Sequence, residues 1–218
     1  MSKGISFSDT LRDYLVAHSL APSPEHAEIT KATQAAVPDL AIMQIPGEQW
    51  AFMTFLTRLV GARTAVEVGT FTGSSALSIA LGLPDDGRLI CCDVSAEFVS
   101  IGRPHWEAAR VADRIEVRIG PAAETLAALP EEPHIDLAFI DADKTGYVDY
   151  YELLVPRTTA NGVIVVDNVL QDGRVLDAAD HETNTEAIRR FNDHVAADTR
   201  VDAVMLNVAD GLTLIRRR

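Results

Sequence analysis

The chain is short of cysteine, of basic charge and of long apolar runs, and each shortage removes a class of protein. Its only cysteines, Cys91 and Cys92, are adjacent. Neighbours on a strand point to opposite faces, so a mutual disulfide is excluded, and both read as small core residues in a reducing cytoplasm. Lys and Arg number 19 against 32 Asp and Glu, for a formal net charge of -13. Apart from the closing Arg216-Arg217-Arg218 the basic residues are scattered. A nucleic-acid partner needs a basic face, so none is expected. No apolar stretch approaches the roughly 20 residues of a membrane span. The opening Met1-Ser2-Lys3-Gly4-Ile5 lacks the apolar core of a signal peptide. The six histidines form no pair at metal-ligand spacing and read as surface or structural. Neither an internal repeat nor a linker rich in Gly, Pro or Ser divides the 218 residues. One domain is expected, with residues 1–61 as a helical cap and 62–218 as a cofactor- and metal-binding core.

Three helical segments open the chain. Ser8 can cap a run with Leu11, Tyr14 and Leu15 at helical spacing, residues 24–36 form a second segment, and residues 48–60 a third. The third is expected to present Phe52, Phe55, Leu56 and Leu59 on one face. The period then changes. Strands are expected at residues 64–69, 88–93, 114–119, 135–140 and 163–166, separated by helices at 74–83, 96–110, 122–129 and 146–155. Such alternation implies βαβ units and a parallel sheet covered on both faces. A helix near 185–197 precedes two apolar runs flanking Asp210-Gly211, a hairpin signal that makes the last strand antiparallel. The expected fold is α/β: a Rossmann-like, doubly wound, mostly parallel sheet with N-terminal helices.

Two strand exits carry acids: Phe139-Ile140-Asp141-Ala142-Asp143-Lys144 and Val165-Val166-Asp167-Asn168. Side by side in a parallel sheet, they would bring Asp141, Asp167 and Asn168 onto one hard cation, with Lys144 beside it. An all-oxygen set favours Mg²⁺, with Ca²⁺ or Mn²⁺ also suited, and leaves room for substrate. Other readings overlap here. Asp141 to Glu152 matches a calcium-loop pattern, but that loop lies between helices, and a strand precedes Asp141. Asp141-x-Asp143 also suits a phosphatase with an aspartyl nucleophile, which would want its strand first, whereas three precede it. Asp141 could cap the next helix, with Asp143 and Lys144 as a solvated pair.

The loop Glu67-Val68-Gly69-Thr70-Phe71-Thr72-Gly73-Ser74-Ser75 stands where Rossmann-type folds bind a nucleotide, unless its glycines only permit a tight turn. The dinucleotide spacing of glycines is absent, and Glu67 is ill placed for a pyrophosphate. S-adenosylmethionine fits better, with Glu67 at its cationic methionine end and Asp93 gripping ribose hydroxyls. A small aromatic vicinal diol could chelate the cation with both oxygens. The metal lowers a phenol pKa, and Lys144 can accept the proton if the neighbouring cation depresses its own pKa. The phenolate then attacks the activated methyl, with orientation supplying most of the acceleration.

These motifs together resemble the metal-dependent small-molecule O-methyltransferases, close to the caffeoyl-CoA and catechol O-methyltransferases and particularly their short bacterial members. The resemblance runs from about Leu11 to Arg216. Its most specific part is Asp-Ala-Asp-Lys (141–144) followed by Tyr147, Tyr150 and Tyr151. Met43-Gln44-Ile45 with Glu48-Gln49, the loop 67–75, Gly120-Pro121-Ala122, Asp167-Asn168 and 210–214 agree as well. The resemblance implies a Rossmann-like methyltransferase sheet and the same roles for Asp141, Asp167, Asn168 and Lys144. It further implies that Ile45, Glu67, Gly69, Thr70, Ser75, Asp93, Ala122 and Asp141 contact the cofactor, and that the protein is a homodimer. Departures are Ser74 for a usual Tyr, Gln171 for a usual Trp, Asn207 for a usual Pro, and Trp50-Ala51 for a common Gly-Gln. Gln171 and Trp50 are therefore candidate acceptor-pocket residues, Trp50 as a stacking platform or as core packing. Asp172 touches the acceptor or turns the chain with Gly173. The polar segment 177–184 is a lid or a plain connection. A catalytically idle, cofactor-binding dimer is the remaining alternative.

Overall fold

The computed structural model describes residues 8–218; residues 1–5, on which the signal-peptide expectation rests, lie outside them. The Ser8 hydroxyl accepts the Leu11 amide at 3.2 Å and starts α1 (Asp9–Ala17) as its capping position requires. Proline at the first turn starts α2 (Pro24–Ala36). A 3₁₀ segment, Pro38–Met43, leads into α3 (Gly47–Leu59).

The alternating part follows: β1 (Thr64–Val68), α4 (Ser74–Gly82), β2 (Arg88–Asp93), α5 (Ala96–Ala108), β3 (Ile115–Ile119), α6 (Ala122–Ala127), β4 (Ile135–Ile140), α7 (Tyr147–Leu154) and β5 (Thr158–Val166). Then come α8 (Thr183–Ala197), β6 (Val201–Leu206) and β7 (Leu212–Arg217). The sheet order is β3-β2-β1-β4-β5-β7-β6. The four pairings among β1–β5 are parallel, and β7 runs antiparallel to both its neighbours. The single reversed strand is thus the expected last one, but it inserts between β5 and β6 and leaves β6 at the edge. The strand β5 begins five residues earlier than its apolar run. Its Asn161-Gly162 pair is carried inside the strand, beside a register shift against β4.

Alternate strand residues feed two cores. Ala65, Leu89, Cys91, Leu137 and Phe139 pack with α2 to α5, through Ile29, Met53, Leu77 and Trp106. Val66, Ile90, Cys92, Ala138 and Ile140 pack with α6 to α8, through Leu126, Tyr151 and Phe191. The two cysteines therefore lie on opposite faces as free thiols. Burial pushes both thiols up, Cys92 to about 12. Among the described residues no helix is long and apolar enough to cross a membrane.

The third helix departs from expectation. Phe55 and Leu59 are exposed, and the buried face is Gln49, Met53, Leu56 and Thr57 with Thr54 beside it. The hydroxyls make this possible: Thr54 donates to the Ser78 carbonyl at 2.8 Å and Thr57 to the Met53 carbonyl at 2.7 Å. A large aromatic would not fit there, since even a Cβ on Gly82 of α4 would collide with Thr57.

Gly69 ends β1 at φ +90, and a Cβ there would overlap the Asp141 carbonyl oxygen. Gly69→Ala should therefore destabilise by more than about 2 kcal/mol, from left-handed strain and the backbone clash together. Urea unfolding of the two proteins measures it.

Candidate active site

At the carboxyl ends of β1, β4 and β5 lies a cavity of about 970 Å³, the place where open α/β sheets bind ligands. Its walls include Ile45, Gly69, Thr70, Ser75 and Asp141 among the expected cofactor residues, and Asp141, Lys144, Asp167 and Asn168 from the acidic exits. The cause is topological. Adjacent β4 and β5 pair Ile140 with Val166, so Asp141 and Asp167 leave the sheet at the same height.

Lys144 begins a 3₁₀ turn, Lys144–Gly146, which carries its ammonium back over the strand ends. Its Nζ donates to Asp141 Oδ1 at 3.0 Å, to Asn168 Oδ1 at 2.6 Å and to the Tyr147 hydroxyl at 2.6 Å. Tyr147, buried, donates in turn to the Asp167 carbonyl at 3.2 Å. Asp167 is buried behind this group. Its Oδ2 accepts from Gln49 Nε2 and its Oδ1 from the Asn168 amide, both at 2.6 Å. Burial, then the nearby Asp141 charge, raises the pKa of Asp167 above the ordinary range of an aspartate. Asn168 reaches its position in a left-handed conformation, φ 56.

This arrangement settles several readings. Lys144 pairs with Asp141 and not with Asp143, whose carboxylate accepts from Tyr150 at 2.5 Å and Thr145 at 3.1 Å. Asp141 caps no helix, since α7 starts after Gly146. The calcium-loop reading fails because residues 135–140 are strand. Among the described residues no three His, Cys, Asp or Glu side chains form a metal cluster. The candidate set is two carboxylates and one amide: the Lys144 ammonium meets Asp141 and Asn168, while both Asp167 oxygens are taken by Gln49 and the Asn168 amide.

The remaining cofactor candidates stand behind the cavity wall. Glu67 is fully buried in β1, and its Oε1 has no hydrogen bond of acceptable geometry. Burial pushes its pKa up to about 7, against the hydroxyls of Ser75 and Thr70 and the Cys91 thiol, which donates to it at 3.4 Å. Asp93 holds the loop: Oδ2 accepts the amides of Thr70 (2.9 Å) and Phe71 (2.7 Å), and Oδ1 that of Ser95 at 2.7 Å. Ala122 is buried at the start of α6. None of these three lines the cavity.

Gln171 and Asp172 do line it, both at positive φ, and Asp172 also makes the turn with Gly173. Trp50 does not. Its ring stacks on His26 at 4.8 Å, away from the cavity, so it is packing and not an acceptor platform. The segment 177–184 is a tied connection. Arg189 donates to the carbonyls of Val175, Asp180, Arg174 and Asp177. Arg174 pairs with Asp180 at 2.6 Å. Sequence reading missed Gln49 as a partner of Asp167. The signal was a glutamine four residues before Met53, at core spacing on its helix.

The sequence pattern of the O-methyltransferase family matches residues 17–218. The chain is 38% identical over 217 residues to "Probable caffeoyl-CoA O-methyltransferase 1" of Dictyostelium discoideum, covering 98% of this chain and 94% of that one. An O-methyltransferase from Bacillus cereus, solved in complex with SAH, superposes with TM-score 0.86 at 30% identity over 96% of this chain and 97% of its own. An SAH-bound methyltransferase of Podospora anserina gives TM-score 0.87 at 27% identity over the full length of both. This chain belongs to the O-methyltransferase family and has its Rossmann-like sheet. That membership leaves the phosphatase reading of Asp141 without support.

Because the folded protein favours neutral Glu67, with pKa about 7 against an ordinary 4.5, this residue stabilises the fold at low pH. The contribution is lost as pH rises through 7. Glu67→Gln should thus melt higher than the parent above pH 7, and the difference should vanish below pH 4.5. Thermal unfolding across pH reads the sign directly.

Proposed function

We propose that the protein moves a methyl group from S-adenosylmethionine to one hydroxyl of an aromatic vicinal diol held on a divalent cation, with Lys144 as base. The observation that carries this reading is the Lys144 ammonium lying across Asp141 Oδ1 and Asn168 Oδ1. Two oxygen-bearing side chains, one from each strand exit, already meet a cation there together with the Tyr147 hydroxyl, and the buried Asp167 carboxylate stands behind them. That donor set suits Mg²⁺, or Ca²⁺ or Mn²⁺. SAH, the demethylated form of the cofactor, occupies the B. cereus and P. anserina relatives, which supports S-adenosylmethionine here.

The bound groups supply an electrophilic sulfonium methyl and a Lewis acid that acidifies a chelated phenol. The chain's own residues do the rest. Asp141, Asp167 and Asn168 hold the cation, and Gln49 keeps Asp167 turned towards it. Lys144, mostly buried at 13% side-chain exposure, would give up its own proton once a cation takes its place against Asp141 and Asn168, and its neutral Nζ would then take the phenol proton. Tyr147 fixes the reach of that nitrogen. Gly69, Thr70 and Ser75 form the wall against which the cofactor is oriented, with Asp93 keeping that loop closed from behind. Glu67 offers an unpaired buried oxygen to the cofactor's ammonium end. The same reading places the protein in the cytoplasm as a homodimer, which analytical sedimentation checks.

Incubation with S-adenosylmethionine, Mg²⁺ and a panel of catechols should give singly methylated product, abolished by chelation. Absence of product across the panel contradicts the proposal. Lys144→Ala should lower turnover about a hundredfold or more while sparing cofactor affinity. Undiminished turnover would remove Lys144 as base. Cofactor binding requires ionised Glu67, so its Kd should rise about tenfold for each pH unit below 7. In Glu67→Gln the same titration should be flat.

A further inference from the structure

The cavity is strongly unbalanced in charge. Six carboxylates line it, Glu48, Asp141, Asp143, Asp167, Asp172 and Asp210, against only Arg12 and Lys144. Asp141 and Asp167 belong to the cation site, and Asp143 is taken by Tyr150 and Thr145. Asp210 accepts the Asp172 amide at 2.6 Å and shapes the turn. Glu48 is different. Its side chain is only 9% exposed, and Oε1 lies 3.3 Å from Arg12 Nε, which also faces Asp9. Its Oε2 is buried with no hydrogen-bond partner among the described residues.

Glu48 also stands at a junction. It lines the main cavity and an adjoining pocket of about 360 Å³ walled by Leu15, Leu20, Ala51, Phe52, Phe55 and Val208. A buried carboxylate oxygen without a donor is costly, and a ligand that supplies an N–H recovers that cost. A ligand that brings a second negative charge adds repulsion in a poorly solvated place.

We infer that Glu48 is the charge selector of the acceptor site: it takes a diol whose ring substituent carries a protonated amine and rejects carboxylate or acyl-CoA acceptors. The inference rests on the methyl-transfer reading above and deepens it. It departs from the substrate in the printed name of the Dictyostelium relative. The aromatic diol reaches the cation site, its short apolar arm lies along the side pocket, and its ammonium meets Glu48 Oε2. Exposed Asp172 and half-buried Asp210 on the cavity wall add a weaker attraction, salt-screened at Asp172.

The experiment compares kcat/KM for four acceptors sharing one ring: aminoethyl catechol, ethyl catechol, carboxyethyl catechol and a dihydroxycinnamoyl-CoA thioester. The expected order is amine, then neutral, then the two anions. In Glu48→Gln the amine-to-carboxylate ratio should fall about tenfold or more, and Glu48→Asp should restore part of it. Asp172→Asn should move the ratio less, and its smaller effect should fade at high salt. Equal rates for amine and carboxylate, or preference for either anion, in the parent protein overturns the inference without any variant. So does a Glu48→Gln ratio that stays put, or one that Asp172→Asn shifts as far. Methylation of ethyl catechol without amine preference defeats charge selection alone, whereas no methylation of any acceptor defeats the methyl-transfer reading itself.

Discussion

Two carboxylates that leave neighbouring strands at the same height, Asp167 buried and Asp141 half-buried, cannot both be ionised cheaply unless positive charge meets them. That constraint organises the cavity end of this protein. The Ile140–Val166 register sets Asp141 beside Asp167, and the chain answers from three directions. The 3₁₀ turn after β4 returns Lys144 over the pair, α3 delivers Gln49 to Asp167 Oδ2, and the left-handed Asn168 gives Asp167 Oδ1 its amide. Even so, Asp167 stays above its ordinary pKa range. Under the methyl-transfer reading a divalent ion would meet the same oxygens that Lys144 meets here.

The cofactor side is built on the opposite principle. Its backbone is drawn tight, and its one buried carboxylate is left under-paired. Asp93 ties the loop after β1 by two amides, Trp106 donates to the Gly73 carbonyl at 2.9 Å, and Thr33, Gln44 and Thr72 share hydrogen bonds beneath it. Under the methyl-transfer reading this hydrogen-bonded wall would orient the methyl donor and take no part in proton transfer. Glu67 behind the wall and Glu48 on the cavity each keep a buried acid oxygen without a hydrogen-bond donor.

The alternation of strands and helices, the acidic exits and the glycine turn after β1 were legible because each rests on local pattern: period-two runs, Gly at positive φ, acids at strand ends. The position of β7 between β5 and β6 was not, since a hairpin signal gives direction but not which strand it joins. Burial on α3 was also misread. Phe55 and Leu59 carry the apolar period, yet hydroxyls satisfied within and across helices let Thr54 and Thr57 take the core side against small residues of α4. Trp50 was ambiguous for a similar reason. Only the tertiary placement of His26 decides that its ring packs inside the helical layer. Asp93 and Asp141 were found as residues, but not their present partners, which depend on side-chain directions that spacing does not encode.

The most direct measurement is anomalous scattering from crystals grown with Mn²⁺ and a non-reactive cofactor analogue. The account predicts one strong peak among the side-chain oxygens of Asp141, Asp167 and Asn168, with Lys144 Nζ withdrawn from Asn168 Oδ1. No peak there, with the Lys144 contacts unchanged at saturating Mn²⁺, would contradict it.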